Sequence, residues 1–422
     1  MAKVVVLDLD SVPRSEDSRP NCYEAFTGKI SMILSQAGEV HEPVYLICVQ
    51  CQGSSATPPE RFVSLRKQVR VLQDNSVSAS MYTIKQELDN LDLSNVVILT
   101  SSHRRAVLQK YQESLFTALY NFEYITVFDD QRAFSDSPTS LTSGEITEVT
   151  DEVSTFLRQL PAVGEMTVLK SSLVPDSFSH GFSTRTGGIS YISTLSSLNL
   201  FSSSSRRDPK AVVLENIRRL GLQVGFQPHQ FHLVKTDHAS DVWVVGEEGP
   251  ERYDGIVTNQ VNVVIAAPGA DCMPLLFTDP VSKVIGVAHA GWKGTLMGIA
   301  MATVNAMVTR FDSKTENILA VIGPSVGSCC FKLEQESAKE FHAIHPDCVR
   351  DDGTSKPYVN IRLATRILLE QGGLLSKHIH DDTVTDTPSV TLCTSCRSDM
   401  FFSHVRDGTN FGTQIGFLWI KE

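Results

Sequence analysis

Residues 270–294 read ADCMPLLFTDPVSKVIGVAHAGWKG, and this stretch decides the fold of the second half of the chain. Two apolar runs, at 273–278 and 284–289, flank a turn signal at Asp279-Pro280, the pattern of a β-hairpin. A symmetric turn over 279–282 sets Cys272 opposite His289. Opposed Cβ atoms in a ladder lie about 4.5–5.5 Å apart. A thiol and an imidazole so placed converge on one metal ion or form a nucleophile–base dyad. Pro274 cannot donate to the ladder and interrupts it on paper. His238 is the natural third donor, because it sits in the polar centre of FHLVKTDHASDVWVV (231–245), which is strand-like at both ends. His/Cys/His suits Zn²⁺, with a fourth position left for water or substrate. The spacing alone leaves open a hydrogen-bonded core histidine or a metal-free Cys/His pair.

Working outward, the neighbouring blocks are rich in glycine and cysteine. SHGFSTRTGGIS (179–190) reads as a loop with one arginine, and Asp208-Pro209 opens a helix expected to end before Gly221. GPSVG (323–327) is either a nest of backbone N–H groups for an anion or a tight turn. Cys329-Cys330 reads as packing. His180 could orient the Arg185 loop or serve structure alone, and Trp292 could stack on a base or anchor the core.

The first half has a different rhythm. KVVVLDL (3–9), VYLICV (44–49) and NVVILT (95–100) are the near-continuous apolar runs of strands buried on both faces. Helical patterns fall at 23–36, 59–72, 83–91 and 104–120, a fourth strand at 124–128 and a further helix at 145–160. This βαβα alternation predicts an α/β domain with a mostly parallel sheet. Asp8 and Asp10 end the first strand, as either a carboxylate site or a solvated strand end. Cys48-Val-Gln-Cys51 lacks a second pair at zinc-like spacing. A Ser-rich stretch at 135–144 reads as a linker, and the boundary is expected near 161–165, giving an accessory domain over 1–165 and a catalytic domain over 166–422.

Composition narrows the function. The 422 residues carry 48 acidic and 37 basic side chains, a net charge of −11, which disfavours bulk electrostatic binding of nucleic acid. No apolar run approaches the roughly 20 residues of a transmembrane helix. The N-terminus lacks a signal-peptide pattern, and nine scattered cysteines argue against a disulfide framework. The expectation is a reduced, cytoplasmic protein.

Six ordered blocks now carry a resemblance: HGFSTRTGG (180–188), SLNL (197–200), ADCMP (270–274), HAGWKG (289–294), IGPSVGSCCF (322–331) and CTSC…FFSHVRDG (393–408). Together they resemble the laccase-domain, or YfiH-like, family of multicopper polyphenol oxidoreductases. The resemblance implies an α+β layered C-terminal domain with metal ligands at His238, Cys272 and His289. It also implies purine nucleoside phosphorolysis: adenosine, inosine, guanosine and, as a further substrate, methylthioadenosine give free base and ribose 1-phosphate, with adenosine deamination alongside. Zn²⁺ is expected over copper, with inorganic phosphate as co-substrate. Asp271 is the candidate acid/base. Arg185, Lys293 and Arg406 are the candidate cations for phosphate or ribose, and Ser183 and Asn199 the candidate hydrogen-bonding partners of substrate.

Three departures bear on substrate preference. Thr236-Asp237-His238-Ala239 stands where the family has Gln-Val-His-Gly. Lys293 replaces an arginine and loses its planar fork. Ser403-His404-Val405-Arg406 keeps only the second of two arginines. True laccase chemistry is disfavoured, because a trinuclear copper centre needs several His-x-His pairs and the chain has one, His378-Ile-His380. Two alternatives stand beside the purine enzyme: a cysteine hydrolase using Cys272 and His289, and a scaffold whose N-terminal domain binds a protein partner. The oligomeric state is not legible.

Overall fold

A computed structural model describes residues 4–8, 44–47, 69–72, 74–128 and 141–422. These fall into two compact units: the residues up to Leu160 together with Ser202–Val212, and Pro161–Phe201 with Val213–Glu422.

The first unit holds β1 (Val4–Asp8), β2 (Val44–Ile47), β3 (Val69–Leu72), β4 (Asn95–Ser101) and β5 (Asn121–Phe128), in the order β3-β2-β1-β4-β5. All four pairings are parallel, as the near-continuous apolar runs suggest. Helices Val77–Asn90, Ser102–Leu115 and Ser143–Gln159 belong to it, the last opened by a Thr142/Glu145 capping box. The expected helix over 59–72 is corrected at its end. Val69–Leu72 is a strand, the outermost among the described residues of this sheet, and two β-branched residues in four favour the extended chain over a helix. The helix expected over 23–36 and the Cys48/Cys51 pair lie outside the described residues, as does Asp10. Asp8 is buried and accepts from Thr100 Oγ1 (2.8 Å) and Arg104 Nε (3.2 Å), so it braces the strand end rather than facing solvent.

The second unit is a four-layer sandwich. In chain order its strands are β6 (Val168–Leu169), β7 (Phe178–Ser183), β8 (Phe231–Leu233), β9 (Val242–Val244), β10 (Gly255–Thr258), β11 (Val264–Gly269), β12 (Met273–Asp279), β13 (Val284–Ala290), β14 (Leu319–Ile322), β15 (Val349–Arg350), β16 (Tyr358–Val359), β17 (Ile379–His380) and β18 (Gln414–Ile420). One sheet runs β17-β14-β12-β13-β10-β9 and the other β6-β7-β18-β11-β8. Strand alternation sets the layers. In β18, Leu418 and Ile420 join Ile265, Leu276, Ile285 and Val287 in the core between the sheets. The alternate residues Ile415, Phe417 and Trp419 pack with Val213, Ile217 and Leu220 of the helix Lys210–Val224. On the far side, Leu275 and Phe277 of β12 pack with helices Ile299–Phe311 and Ile361–Gln371.

Three local expectations change. Residues 178–183 form a strand rather than a loop, paired to β18. The helix expected to stop before Gly221 continues to Val224, and Gly225, at φ +101°, follows it. The β12–β13 register differs from the symmetric turn by two residues: Pro274, not Cys272, opposes His289. Asp279 Oδ1 accepts from Val281 N (2.8 Å) and Ser282 N (3.1 Å), and Lys283 adopts φ +53°, so 280–283 form a four-residue turn. A two-residue slip keeps every side chain on its face, whereas a slip of one would have parted the cysteine from the histidine.

Candidate metal centre and active site

His289 lies near the end of β13, on the face turned towards the second sheet, and is buried. Cys272 immediately precedes β12. His238 arrives by another route. β8 pairs with β11 in one sheet and β9 with β10 in the other, so the polar segment between β8 and β9 crosses from sheet to sheet. His238 sits on that crossing with φ +60°. The ligand atoms of His238, Cys272 and His289 all lie within 4.8 Å of one another.

Asp254 holds this arrangement. It is fully buried just before β10. Its Oδ2 accepts from Asp237 N (3.0 Å) and Ala239 N (2.9 Å), the residues on either side of His238. Its Oδ1 lies 2.8 Å from His289 Nδ1. That contact places the ring proton on Nδ1 and directs the Nε2 lone pair to the centre. Burial raises the Asp254 pKa, but the His289 ring and the two backbone N–H groups outweigh it and hold the carboxylate low. Sequence reasoning missed Asp254: an aspartate in Arg252-Tyr253-Asp254-Gly255 carries no spacing signal, and only the fold brings it under two ligands at once.

Charge completes the picture. Burial raises the Cys272 thiol, but His289 and His238 overcome it and bring the pKa down to about 6. Burial lowers His289, while Cys272 and Asp254 together bring it up to about 9. Thiol and ring each favour the charged form of the other. Gly291 lies against two of the three donors. A Cβ there would lie 2.9 Å from Cys272 Sγ and 3.4 Å from His238 Cδ2, so only glycine fits without displacing the sulfur.

The structure gives most of the other candidates different work. Asp271, at φ +92°, is buried, and its carboxylate accepts from Thr394 Oγ1 (2.7 Å), Ser403 Oγ (2.7 Å) and Val405 N (2.6 Å). It anchors loops instead of standing ready to move protons. Arg406 donates to Asp407, Thr394 O, Ser395 O and Phe401 O, which occupies all five of its N–H bonds. Arg185 donates to Ser196 O, Ser398 O and Ser193 O and stacks over Phe402. Ser183 is buried in the β7–β18 ladder, accepting from Ile415 N (3.0 Å). Asn199 is buried, with Oδ1 accepting from Thr413 N (3.0 Å). Lys293 alone of the three expected cations is exposed, 5.4 Å from the Trp292 ring centroid, and forms no ion pair among the described residues.

The anion nest is also corrected. The N–H groups of Gly323, Ser325, Val326 and Gly327 are committed to Pro274 O, Leu392 O, Asp271 O and Cys393 Sγ, so none is left for an anion. His180 Nε2 accepts from Ser171 N (2.9 Å), a structural bond. Trp292 packs against the core.

The layered fold and the His/Cys/His centre define a class, and the chain belongs to the multi-copper polyphenol oxidoreductase laccase family, whose model matches residues 179–421. Its relatives are more particular. It is 46% identical over 441 residues, across the full length of both chains, to purine nucleoside phosphorylase LACC1 of Mus musculus. It is 28% identical over 255 residues, 57% of this chain and 93% of the relative, to adenosine deaminase RL5 of an unknown prokaryotic organism. The crystal structure of the hypothetical protein YfiH from Bacillus licheniformis matches 62% of this chain and 98% of its own with a TM-score of 0.54 and 27% identity.

Proposed function

We propose that this chain is a zinc-dependent purine nucleoside phosphorylase with adenosine deaminase activity, centred on His238, Cys272 and His289 in a catalytic domain over residues 166–422. The observation that carries the metal is the donor set: two imidazoles and a low-pKa thiol converge, and a buried carboxylate orients one ring and the loop of the other. These residues fit zinc, a borderline ion bound by nitrogen and thiolate. Bound there, zinc supplies a Lewis acid with one position open to water or substrate. The activities named for the relatives point to purine nucleosides.

The protein's own residues have separate tasks. Asp254 fixes the His289 tautomer and pins both sides of His238. Asp271 ties the cysteine loop to the segment 394–405. Lys293 is the remaining cation able to meet phosphate, as a point charge rather than a fork. A laccase reading is disfavoured on ligands: among the described residues the second metal-capable cluster is made of cysteine alone, and no trinuclear histidine set is assembled. Among the described residues no helix is long and apolar enough to cross a membrane, and the six cysteines there are free thiols, which supports a reducing, cytosolic setting.

Product analysis by chromatography tests the reading. The purified chain is incubated with adenosine or inosine, with and without phosphate. Phosphate-dependent release of adenine or hypoxanthine is expected, with some inosine formed from adenosine. No turnover of either nucleoside by zinc-loaded protein would refute it. One observation favours a second reading, a cysteine hydrolase: Cys272, His289 and Asp254 also have the order of a nucleophile, base and orienting acid. Inactivation by alkylation with indifference to chelators would establish that reading instead.

A further inference from the structure

A second cysteine cluster lies outside the site described above. Cys329 and Cys330 follow β14 on the loop 323–330. Cys393 and Cys396 come from the segment that precedes β18. Their sulfurs lie 3.5 Å (Cys329–Cys393), 3.6 Å (Cys329–Cys396) and 3.4 Å (Cys330–Cys396) apart, and all four are within 4.8 Å of one another. All four are free thiols. A disulfide needs about 2.05 Å between sulfurs. A tetrahedral zinc with bonds of about 2.3 Å sets its sulfurs about 3.8 Å apart. The observed separations match the edge of that tetrahedron. They are too short for four ligands spread around an iron–sulfur cluster, whose inorganic core pushes the thiolates much further apart.

The backbone supports the same conclusion. Gly327 N donates to Cys393 Sγ at 3.3 Å, a bond that stabilises a sulfur carrying negative charge. Cys330 N closes a turn on Gly327 O, and Arg397 N closes another on Cys393 O. A β-bridge joins Ser325 to Cys393. Cys393-x-x-Cys396 has the spacing of a zinc half-site, and Cys329-Cys330 supplies the other half. Cys329 and Cys396 are exposed, so the ion has a path in.

We propose that Cys329, Cys330, Cys393 and Cys396 form a structural four-thiolate zinc site, distinct from the His238/Cys272/His289 centre. Each thiol releases its proton to solvent as it binds, and no oxidant or reductant takes part. The site's work follows from what its two loops carry. Val326, on the first loop, donates N–H to Asp271 O, and Thr394, between the second pair of cysteines, donates Oγ1 to the Asp271 carboxylate. Asp271 precedes the catalytic-centre cysteine. The four-sulfur ion therefore staples the loop after β14, in one sheet, to the segment before β18, in the other, where both grip Asp271.

The test is metal content of the full-length chain with the first centre disabled. H238A/C272S removes two of the three donors there and leaves the four cysteines untouched. Inductively coupled plasma mass spectrometry of this variant, after dialysis against a weak chelator, should find one zinc per chain against two in the wild type. X-ray absorption on the same sample should show a shell of sulfur alone at about 2.3 Å. The reciprocal C393S/C396S variant should hold one zinc with a mixed nitrogen and sulfur shell. If that variant fails to fold, H238A/C272S alone decides. A folded H238A/C272S protein with no zinc above background, a shell containing nitrogen, iron in place of zinc, or the four thiols found as two disulfides by intact mass would each overturn the proposal.

Discussion

Replacing Asp254 with asparagine is the sharpest test of the catalytic centre, because the amide is nearly isosteric and the consequences can be worked through atom by atom. The carboxylate accepts three hydrogen bonds, two from the backbone around His238 and one from His289 Nδ1. An amide has a single acceptor oxygen. If that oxygen faces the two backbone N–H groups, the NH₂ faces His289. Nδ1 must then become an acceptor, which moves the ring proton to Nε2 and blocks the lone pair that would bind metal. If the oxygen faces His289, the NH₂ meets two backbone donors, and the left-handed turn at His238 loses what pins it. Either arrangement forfeits a charge-assisted bond worth about 1.5–3 kcal/mol. A fall in zinc affinity of about 10- to 100-fold is expected, in the range typical of groups that orient metal-binding histidines. Competition with a chromophoric chelator measures it, and circular dichroism verifies that the fold survives. Affinity within twofold of wild type would refute the assigned role of Asp254, and with it the claim that the tautomer of His289 matters.

Four further outcomes follow from particular contacts. Gly291→Ala sets a methyl 2.9 Å from Cys272 Sγ, so zinc occupancy should fall while the melting temperature of the metal-free protein changes little; full occupancy after dialysis would contradict the crowding. Lys293→Ala should raise the KM for phosphate severalfold and leave the KM for nucleoside near wild type, and an unchanged phosphate KM would remove Lys293 from the anion site. Arg406→Ala leaves the carbonyls of Thr394, Ser395 and Phe401 without their donor and should lower the melting temperature by several degrees, consistent with the roughly 1–3 kcal/mol cost of unsatisfied groups; a loss of substrate affinity at unchanged stability would restore it as a binding residue. Burial, with Lys170 nearby, lowers the pKa of His180 from 6.5 to about 4. The unfolded chain therefore takes up a proton between those values that the folded chain refuses. Stability should fall as pH drops through that window, by up to about 3 kcal/mol, and His180→Gln should flatten that part of the curve in urea titrations.

The relation of sequence to site is uneven for physical reasons. The parallel-sheet runs and the grouping of His238, Cys272 and His289 are legible because both depend on short-range signals: apolar run length in one case, donor chemistry beside strand ends in the other. The hairpin register was off by two because the Asp279 side chain caps the turn from within the last strand position, which no symmetry argument sees. Residue type draws Arg185, Arg406, Ser183 and Asn199 towards substrate, because it advertises donors and acceptors without revealing which are already used. In the fold their partners are carbonyls and amides up to 232 positions away. Asp254 was invisible for the opposite reason: its type is ordinary, and only its position beneath two ligands gives it a role. Sequence reasoning missed the four-cysteine cluster, the Cys393-x-x-Cys396 spacing included, since 64 positions separate Cys329 from Cys393 and nothing local joins them.

The placement of β18 has a consequence for how the protein is made. This late strand lies inside its sheet, between β7 and β11, both of which leave the ribosome long before it. Until residues 414–420 emerge, the five-stranded layer has a gap where its central member belongs, and the inner face of the other sheet lacks its cover. Closure over so long a separation is slow compared with local folding. A nascent chain must therefore carry exposed strand edges for most of its synthesis, so folding assistance during translation should matter more here than the stability of the finished protein suggests. A shortened message that omits β18 would yield His238, Cys272 and His289 without the sheet that closes around them.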